Sequence, residues 1–375
     1  MNIELIKEVF LTLVGKSKKA DIKSMTSEER KAYRAHQKLI RGYVVKIQFT
    51  GIALVVTIIA VGIAGAVIKS HRVTKEPVVT EIPFADEEEV IEPPEPEEPP
   101  APKYFAIETD STKEITSEVI SEYAIVINSD TDEILATKNA YERMYPASMT
   151  KVLTILTAAE HMDKEALEDS VTLSSEAVDF AYANDCSTAG FELGETVKVK
   201  DLYYGTILPS GGDAAAQLGI YVAGSTDAFV DMMNDELAVL GLSETSHVTN
   251  MIGIHDSEHY MTVFDMAIIL EAAMDNEICR EVLTAHTYNT TPTEQHPEGD
   301  IMSNWFLRRI EDRSFGGTIQ GAKTGYTVKA GSCAASCELT NGGSHLICVT
   351  GHSSSSWNAI ADHVALYKLF AETAE

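Results

Sequence analysis

Hydrophobic positions change their period several times along this chain, and the changes mark out its elements. Near the start, Ile3, Ile6, Val9, Phe10, Leu13 and Val14 recur at helical spacing and predict a short amphipathic helix. From Phe49 to Ile68 the polar face disappears. Twenty residues run without a charge, long enough to cross a hydrocarbon core of about 30 Å as a helix. Core helices seldom run that far without a polar face. A cleaved leader fits poorly, because the run begins after 48 residues and ends Val67-Ile68-Lys69 with no small-residue cleavage site. The pattern therefore predicts one uncleaved membrane span.

Further on, Tyr123–Asn128 and Glu133–Thr137 have the composition of strands, joined by the turn Ser129-Asp130-Thr131-Asp132. After Tyr145-Pro146-Ala147 a helix begins at or near Ser148 and carries Val152, Leu153, Ile155, Leu156, Ala158 and Ala159. It is apolar on most sides, which predicts a central, buried helix. Helices are expected near 201–208, 213–223, 226–240, 262–275 and 277–285. Strands return around Lys323, at Gly331–Leu339 and at His345–Thr350. A last helix runs from Trp357 to about Ala371, with Ile360, Val364, Tyr367 and Phe370 along one face. Strands at both ends of the region with helices between them imply an α+β fold. It would have one antiparallel sheet flanked by helices, beside a helical subdomain.

Charge divides the chain in the same place as hydropathy. Residues 1–75 carry 14 Lys/Arg against 5 Asp/Glu, and residues 76–375 carry 15 against 52, for a net formal charge of −28. Lys31, Arg34, Lys38, Arg41 and Lys46 before the apolar run place the N-terminus in the cytoplasm and the remainder outside. The segment Ala85–Pro102 is dense in Glu and Pro and cannot bury a core, so it is expected to be an extended spacer. Four regions follow: a cytoplasmic segment 1–46, a transmembrane helix 47–69, an acidic linker 70–103 and a globular domain 104–375. The acidic outer part would repel nucleic acid and anionic membrane surfaces, which argues against either as its partner.

Five cysteines, Cys186, Cys279, Cys333, Cys337 and Cys348, match no zinc spacing. If Asn341-Gly342-Gly343-Ser344 turns a hairpin, Cys337 and Cys348 fall opposite each other, close enough to bridge. Two small residues filling a sheet face would explain them equally well.

The candidate chemistry lies in three motifs. Ser148-Met149-Thr150-Lys151 is the chain's one Ser-x-x-Lys, and it opens the least polar helix of the domain. Residues three apart at a helix start lie on one face with side chains in contact. A serine hydroxyl needs a neighbour to take its proton. Lysine can do so only when neutral, which requires a dry setting or another cation nearby. Lys323-Thr324-Gly325, 175 residues beyond Ser148, offers that cation. It also offers a hydroxyl and a bare backbone position against which a substrate can lie. Between them, Ser210 in Pro209-Ser210-Gly211-Gly212-Asp213 is either a helix cap or a second hydroxyl that relays protons. Tyr182-Ala183-Asn184 competes for that relay role, although it lies only 34 residues after Ser148, against 62 for Ser210.

In this order the motifs resemble those of serine D-Ala-D-Ala carboxypeptidases, the low-molecular-mass penicillin-binding proteins of the serine β-lactamase-like superfamily. The resemblance covers about Tyr123 to Phe370. It extends to Tyr145-Pro146-Ala147 before Ser148, Phe191-Glu192-Leu193-Gly194-Glu195, Leu208-Pro209, Asp213-Ala214-Ala215, Gly253-Ile254-His255-Asp256 and His259-Tyr260. It implies a penicillin-binding transpeptidase-like domain with Ser148 as acylated nucleophile, Lys151 as general base and Ser210 as bridge. Lys323 and Thr324 would grip the substrate's terminal carboxylate, with Gly325 letting the substrate lie against the strand. The N–H groups of Ser148 and Tyr326 would form the oxyanion hole. The implied partner is a peptidoglycan stem peptide ending in D-Ala-D-Ala, with β-lactams as covalent inhibitors. No metal or organic cofactor is implied.

One departure stands out. The family's middle motif is Ser-x-Asn, whereas here the third residue is Gly212, which has no amide to offer. Two other readings remain: a serine β-lactamase, for which no Glu-x-x-Leu-Asn is present to speed deacylation, and a catalytically weakened wall-binding or signalling protein.

Overall fold

A computed structural model describes residues 102–116 and 118–370. The amphipathic pattern at Ile3–Val14, the apolar run 49–68 and nearly all of the expected linker lie outside the described residues. The localisation drawn from them is corrected here. Among the described residues no helix is long and apolar enough to cross a membrane. The longest has 15 residues, about 22 Å at 1.5 Å per residue, short of a ~30 Å hydrocarbon core.

Six strands build the main sheet in the order β1-β3-β2-β10-β9-β8. They are β1 (Ile107–Glu114), β2 (Tyr123–Asn128), β3 (Glu133–Lys138), β8 (Gly317–Thr327), β9 (Gly331–Thr340) and β10 (His345–Ser353), while β4 (Ser170–Thr172) with β5 (Thr196–Lys198) and β6 (Thr287–Asn289) with β7 (Ile301–Ser303) form two small two-stranded sheets. All neighbours run antiparallel except β1, which pairs parallel to β3 at the edge. The sheet is therefore mixed, and the expectation of a purely antiparallel one is corrected at that edge. Along β1 the side chains are exposed or only half-buried, so it carries no alternating hydrophobic signature.

Helices α1 (Thr150–Glu160), α2 (Ser175–Ala183), α3 (Val199–Ile207), α4 (Gly212–Ala223), α5 (Thr226–Val239), α6 (Val263–Asp275) and α7 (Glu277–Thr284) fill the interval between β3 and β8. Short α8 (Leu307–Ile310) and the final helix α9 (Ser356–Phe370) complete the set. Alternation along the inner strands sends residues to two separate cores. Ile125, Ile127, Ala335, Ile347 and Val349 pack with the α1–α7 side. Ala124, Val126, Ala334, Leu346 and Cys348 pack with α8 and α9. In α1, every residue from Thr150 to Ala159 is buried, as its nearly unbroken apolar surface requires.

The β9–β10 hairpin settles the cysteine question. Cys337 pairs with Ile347, and Cys348 pairs with Ser336. The register differs by one residue from the symmetric turn expected, so the two thiols point to opposite faces of the sheet. Cys337 belongs to the core on one face and Cys348 to the core on the other. All five cysteines are free.

Candidate active site

Ser148 sits in a single 3-10 turn, Ala147–Met149, that feeds directly into α1. Ala147 adopts a left-handed φ of 48°, a conformation that a residue with a β-carbon holds only where its surroundings enforce it. Two glycines let the chain close around this turn. A β-carbon on Gly253 would lie 1.8 Å from the Ala147 carbonyl oxygen, and one on Gly325 would lie 2.7 Å from that of Pro146 and 2.9 Å from the Ser148 nitrogen. Only a bare backbone allows β8 to lie flush against the turn that carries Ser148.

Lys151 lies one turn along α1, 2% exposed. Its Nζ is 3.1 Å from Ser148 Oγ and donates to the Ile252 carbonyl at 3.0 Å. Burial lowers this lysine to about 8, while Cys186 and Asp213 act in the opposite direction. The dry setting, rather than a second cation, is thus the leading cause of its altered basicity.

The Ile252 carbonyl is held by a loop that sequence reasoning assigned no role. Asn250 Oδ1 accepts from the N–H groups of Ile252, Gly253 and Ile254. Behind Ser148, His259 is fully enclosed, and burial pushes it down to about 4. Its Nδ1 accepts from the Thr249 N–H, which leaves Nε2 to donate to Thr150 Oγ1 at 2.9 Å. Thr150 in turn donates to the Ala147 carbonyl at 2.8 Å. This neutral chain fixes the strained turn beneath the nucleophile. The sequence flagged His259 only through wording shared with relatives, and nothing flagged Asn250.

The other wall joins Ser210 and Lys323. Ser210 precedes α4 with a left-handed φ of 64°, and Lys323 in β8 donates to its Oγ at 2.9 Å and to the Thr324 carbonyl at 2.9 Å. Lys323 is 3% exposed. Burial first and the charge of Lys151 second hold it well below the ordinary lysine range. Ser210 therefore bonds to Lys323 and makes no hydrogen bond to Ser148 or Lys151, the groups it was expected to bridge. Thr324 is half-buried beside it, Gly325 is buried, and Tyr326 is 64% exposed at the rim. The competing Tyr182-Ala183-Asn184 falls outside this cluster. Tyr182 is 75% exposed at the end of α2, and the Asn184 amide donates to the Phe180 carbonyl.

All the motif residues thus converge on one cleft from four elements: the α1 turn, the start of α4, β8 and the 250–254 loop. Among the described residues no group of three or more His, Cys, Asp or Glu is placed to hold a metal ion.

Comparison with known proteins agrees with this geometry. The family model described as D-alanyl-D-alanine carboxypeptidase matches residues 108–354. The chain is 32% identical to D-alanyl-D-alanine carboxypeptidase DacF of Bacillus subtilis, covering 59% of this chain and 54% of that protein. It is also 32% identical to DacC of Escherichia coli, covering 55% and 50%. The chain thus spans about half the length of these curated relatives. Among solved structures, the Streptomyces K15 DD-transpeptidase superposes with a TM-score of 0.61 at 28% identity, over 68% of this chain and 99% of that one. With its fold, its three motifs and a family match over most of the described region in agreement, the chain belongs to the D-alanyl-D-alanine carboxypeptidase family.

Proposed function

We propose that residues 104–375 form a serine-type D-Ala-D-Ala carboxypeptidase that removes the terminal D-alanine from peptidoglycan stem peptides through an acyl-serine intermediate. The observation that carries this reading is the pair of part-buried hydroxyl–amine contacts, Ser148 with Lys151 at 3.1 Å and Ser210 with Lys323 at 2.9 Å.

In the neutral form favoured by burial, Lys151 takes the proton of Ser148 Oγ as that oxygen attacks the penultimate D-alanine carbonyl. The negative charge that develops on the carbonyl oxygen is met by the N–H groups of Ser148 and Tyr326. The C–N bond then breaks as Lys151 returns its proton to the departing amine of D-alanine, while Ser210 holds Lys323 in place. Water then attacks the ester carbonyl as Lys151 accepts its proton, and that proton returns to Ser148 Oγ as the acyl C–O bond breaks.

Lys323 and Thr324 receive the terminal carboxylate. An anion arriving at a desolvated amine favours the amine's protonated form, so the carboxylate and the Lys323 charge support one another. A β-lactam presents a strained carbonyl and a carboxylate at comparable separation, and it would acylate the same Ser148.

The test is D-alanine release from a tripeptide ending L-Lys-D-Ala-D-Ala, together with intact-mass detection of a penicillin adduct on Ser148, with Ser148→Ala as control. No release and no adduct on a folded domain would overturn the reading. Fast turnover of a chromogenic cephalosporin would reassign the protein to the β-lactamases.

A further inference from the structure

The third position of the middle motif is Gly212, and the structure accounts for the space its missing side chain leaves. A β-carbon there would lie 3.2 Å from Cys186 Cβ, 3.4 Å from Ile252 Cδ1 and 3.5 Å from the Ser187 carbonyl oxygen. The niche is therefore filled from another stretch of chain, the 184–190 loop that follows α2.

That loop is pinned in place. Gly212 N–H donates to the Ser187 carbonyl at 2.7 Å, and Cys186 N–H donates to the Ala181 carbonyl at 3.1 Å. The Ala189 N–H donates to Asp213 Oδ1 at 2.7 Å. Cys186 Sγ lies 3.5 Å from the Asn184 carbonyl, to which its thiol donates. Ile252 touches the same niche and supplies the carbonyl that holds Lys151.

The ionisable groups bearing on Lys151 come from three elements: Cys186 from this loop, Asp213 from α4 and Lys323 from β8. Cys186 and Asp213 both oppose the burial that lowers Lys151, and burial raises the Cys186 thiol while Lys151 acts against that rise.

We propose that Cys186 is a positioning residue of this active site. Its side chain occupies the place vacated at Gly212, and its thiol acts through space on Lys151 in the role that the family gives to an asparagine. Residue 212 and residue 186 are then one unit, in which a side chain on one requires its near absence on the other. The inference rests on Ser148 and Lys151 being the reacting pair.

The same geometry makes it testable on the unmutated protein. Cys186 is half-buried, whereas the other four cysteines are buried, so mild thiol reagents should label Cys186 first. The experiment labels the intact chain with a methanethiosulfonate bearing a carboxylate, and separately with one bearing a trimethylammonium group. The penicillin acylation rate is then followed against pH. Both labels add bulk, but only their charges differ in sign. The anionic label is expected to move the rising limb of the profile to higher pH and the cationic label to lower pH, each by about half a unit or more. Cys186→Ala is expected to be unresponsive to both reagents.

As a second arm, Gly212→Asn alone is expected to slow acylation about tenfold by forcing Cys186 aside. The double change Gly212→Asn with Cys186→Gly is expected to restore most of that loss. Identical pH shifts from the two labels, or singles that simply add, would overturn the inference while wild-type acylation at Ser148 persists. Failure of the wild-type protein to acylate at all would overturn this inference and the proposed function together.

Discussion

The two hydroxyl–lysine pairs of the cleft are chemically alike and built in opposite ways. Ser148 and Lys151 share one turn at the start of α1, and their 3.1 Å separation follows from helical spacing alone. Ser210 and Lys323 come from elements 113 residues apart, and their 2.9 Å contact exists only because β8 is laid against the start of α4. The first pair keeps its lysine near the middle of the useful range, at about 8. The second also holds its lysine well below the ordinary range, first by burial and then by the charge of Lys151. Two identical amines thus sit in two settings, matching the two tasks proposed for them, proton acceptor for Lys151 and carboxylate receptor for Lys323.

The sharpest way to break this division is to disable one pair at a time. Ser148→Ala is expected to abolish penicillin adduct formation, and Lys151→Arg to reduce acylation by on the order of 10³-fold or more, since a guanidinium cannot shed its proton at working pH. Intact-mass kinetics would read both. A Lys151→Arg enzyme that acylated at near wild-type rate would remove the general-base role.

Disabling the other pair should look different. Lys323→Ala is expected to cost about 10²-fold in D-alanine release, through the unanswered charge of the substrate carboxylate. The loss should shrink on a substrate whose C-terminus is amidated. Equal losses on both substrates would mean that Lys323 does not grip the carboxylate.

The support beneath the first pair gives a third handle. Gly253→Ala would place a β-carbon 1.8 Å from the Ala147 carbonyl oxygen in a backbone held at φ of 80°. Such a change is expected to cost about 3 kcal/mol or more of stability, measurable by denaturant unfolding. An Ala at this site with unaltered stability would show that the turn under Ser148 yields easily.

The pH dependence sharpens the comparison further. Because burial holds Lys151 at about 8, the fraction in neutral form falls tenfold per pH unit below that value. Acylation should rise with pH up to about 8 and level above it.

The smallest effect concerns His259. Its folded value, held by burial at about 4, lies below the ordinary 6.5, so the unfolded chain takes up the proton first as acid is added. Stability should therefore decline as pH falls from about 6.5 to about 4, and His259→Gln should flatten that decline. Thermal unfolding across this window would check it.

Much of the fold was readable because hydrophobic period reports burial. The helices expected at 213–223, 226–240 and 262–275 are found at Gly212–Ala223, Thr226–Val239 and Val263–Asp275. What escaped notice lacked such a period. Strand β1 is exposed or half-buried along its length, and α2 has only two buried residues in nine, its start marked by the Ser174 cap. The choice left open between a Cys337–Cys348 bridge and two small sheet-face residues turned on one residue of hairpin register, which no local pattern encodes.

The same boundary runs through the active site. Sequence by itself determined the Ser148–Lys151 contact, because helical geometry ties residues three apart whatever the rest of the molecule does. It also singled out Lys323 and Ser210 as candidates by type and order. Only the tertiary structure decided that Ser210 bonds to Lys323, that Asn250 and His259 brace the nucleophile's turn, and that Cys186 fills the niche beside Gly212. Each of these depends on bringing distant segments within a few ångströms of one another. That proximity is a product of packing two cores around one sheet, and it leaves no periodic trace in the residues that share it.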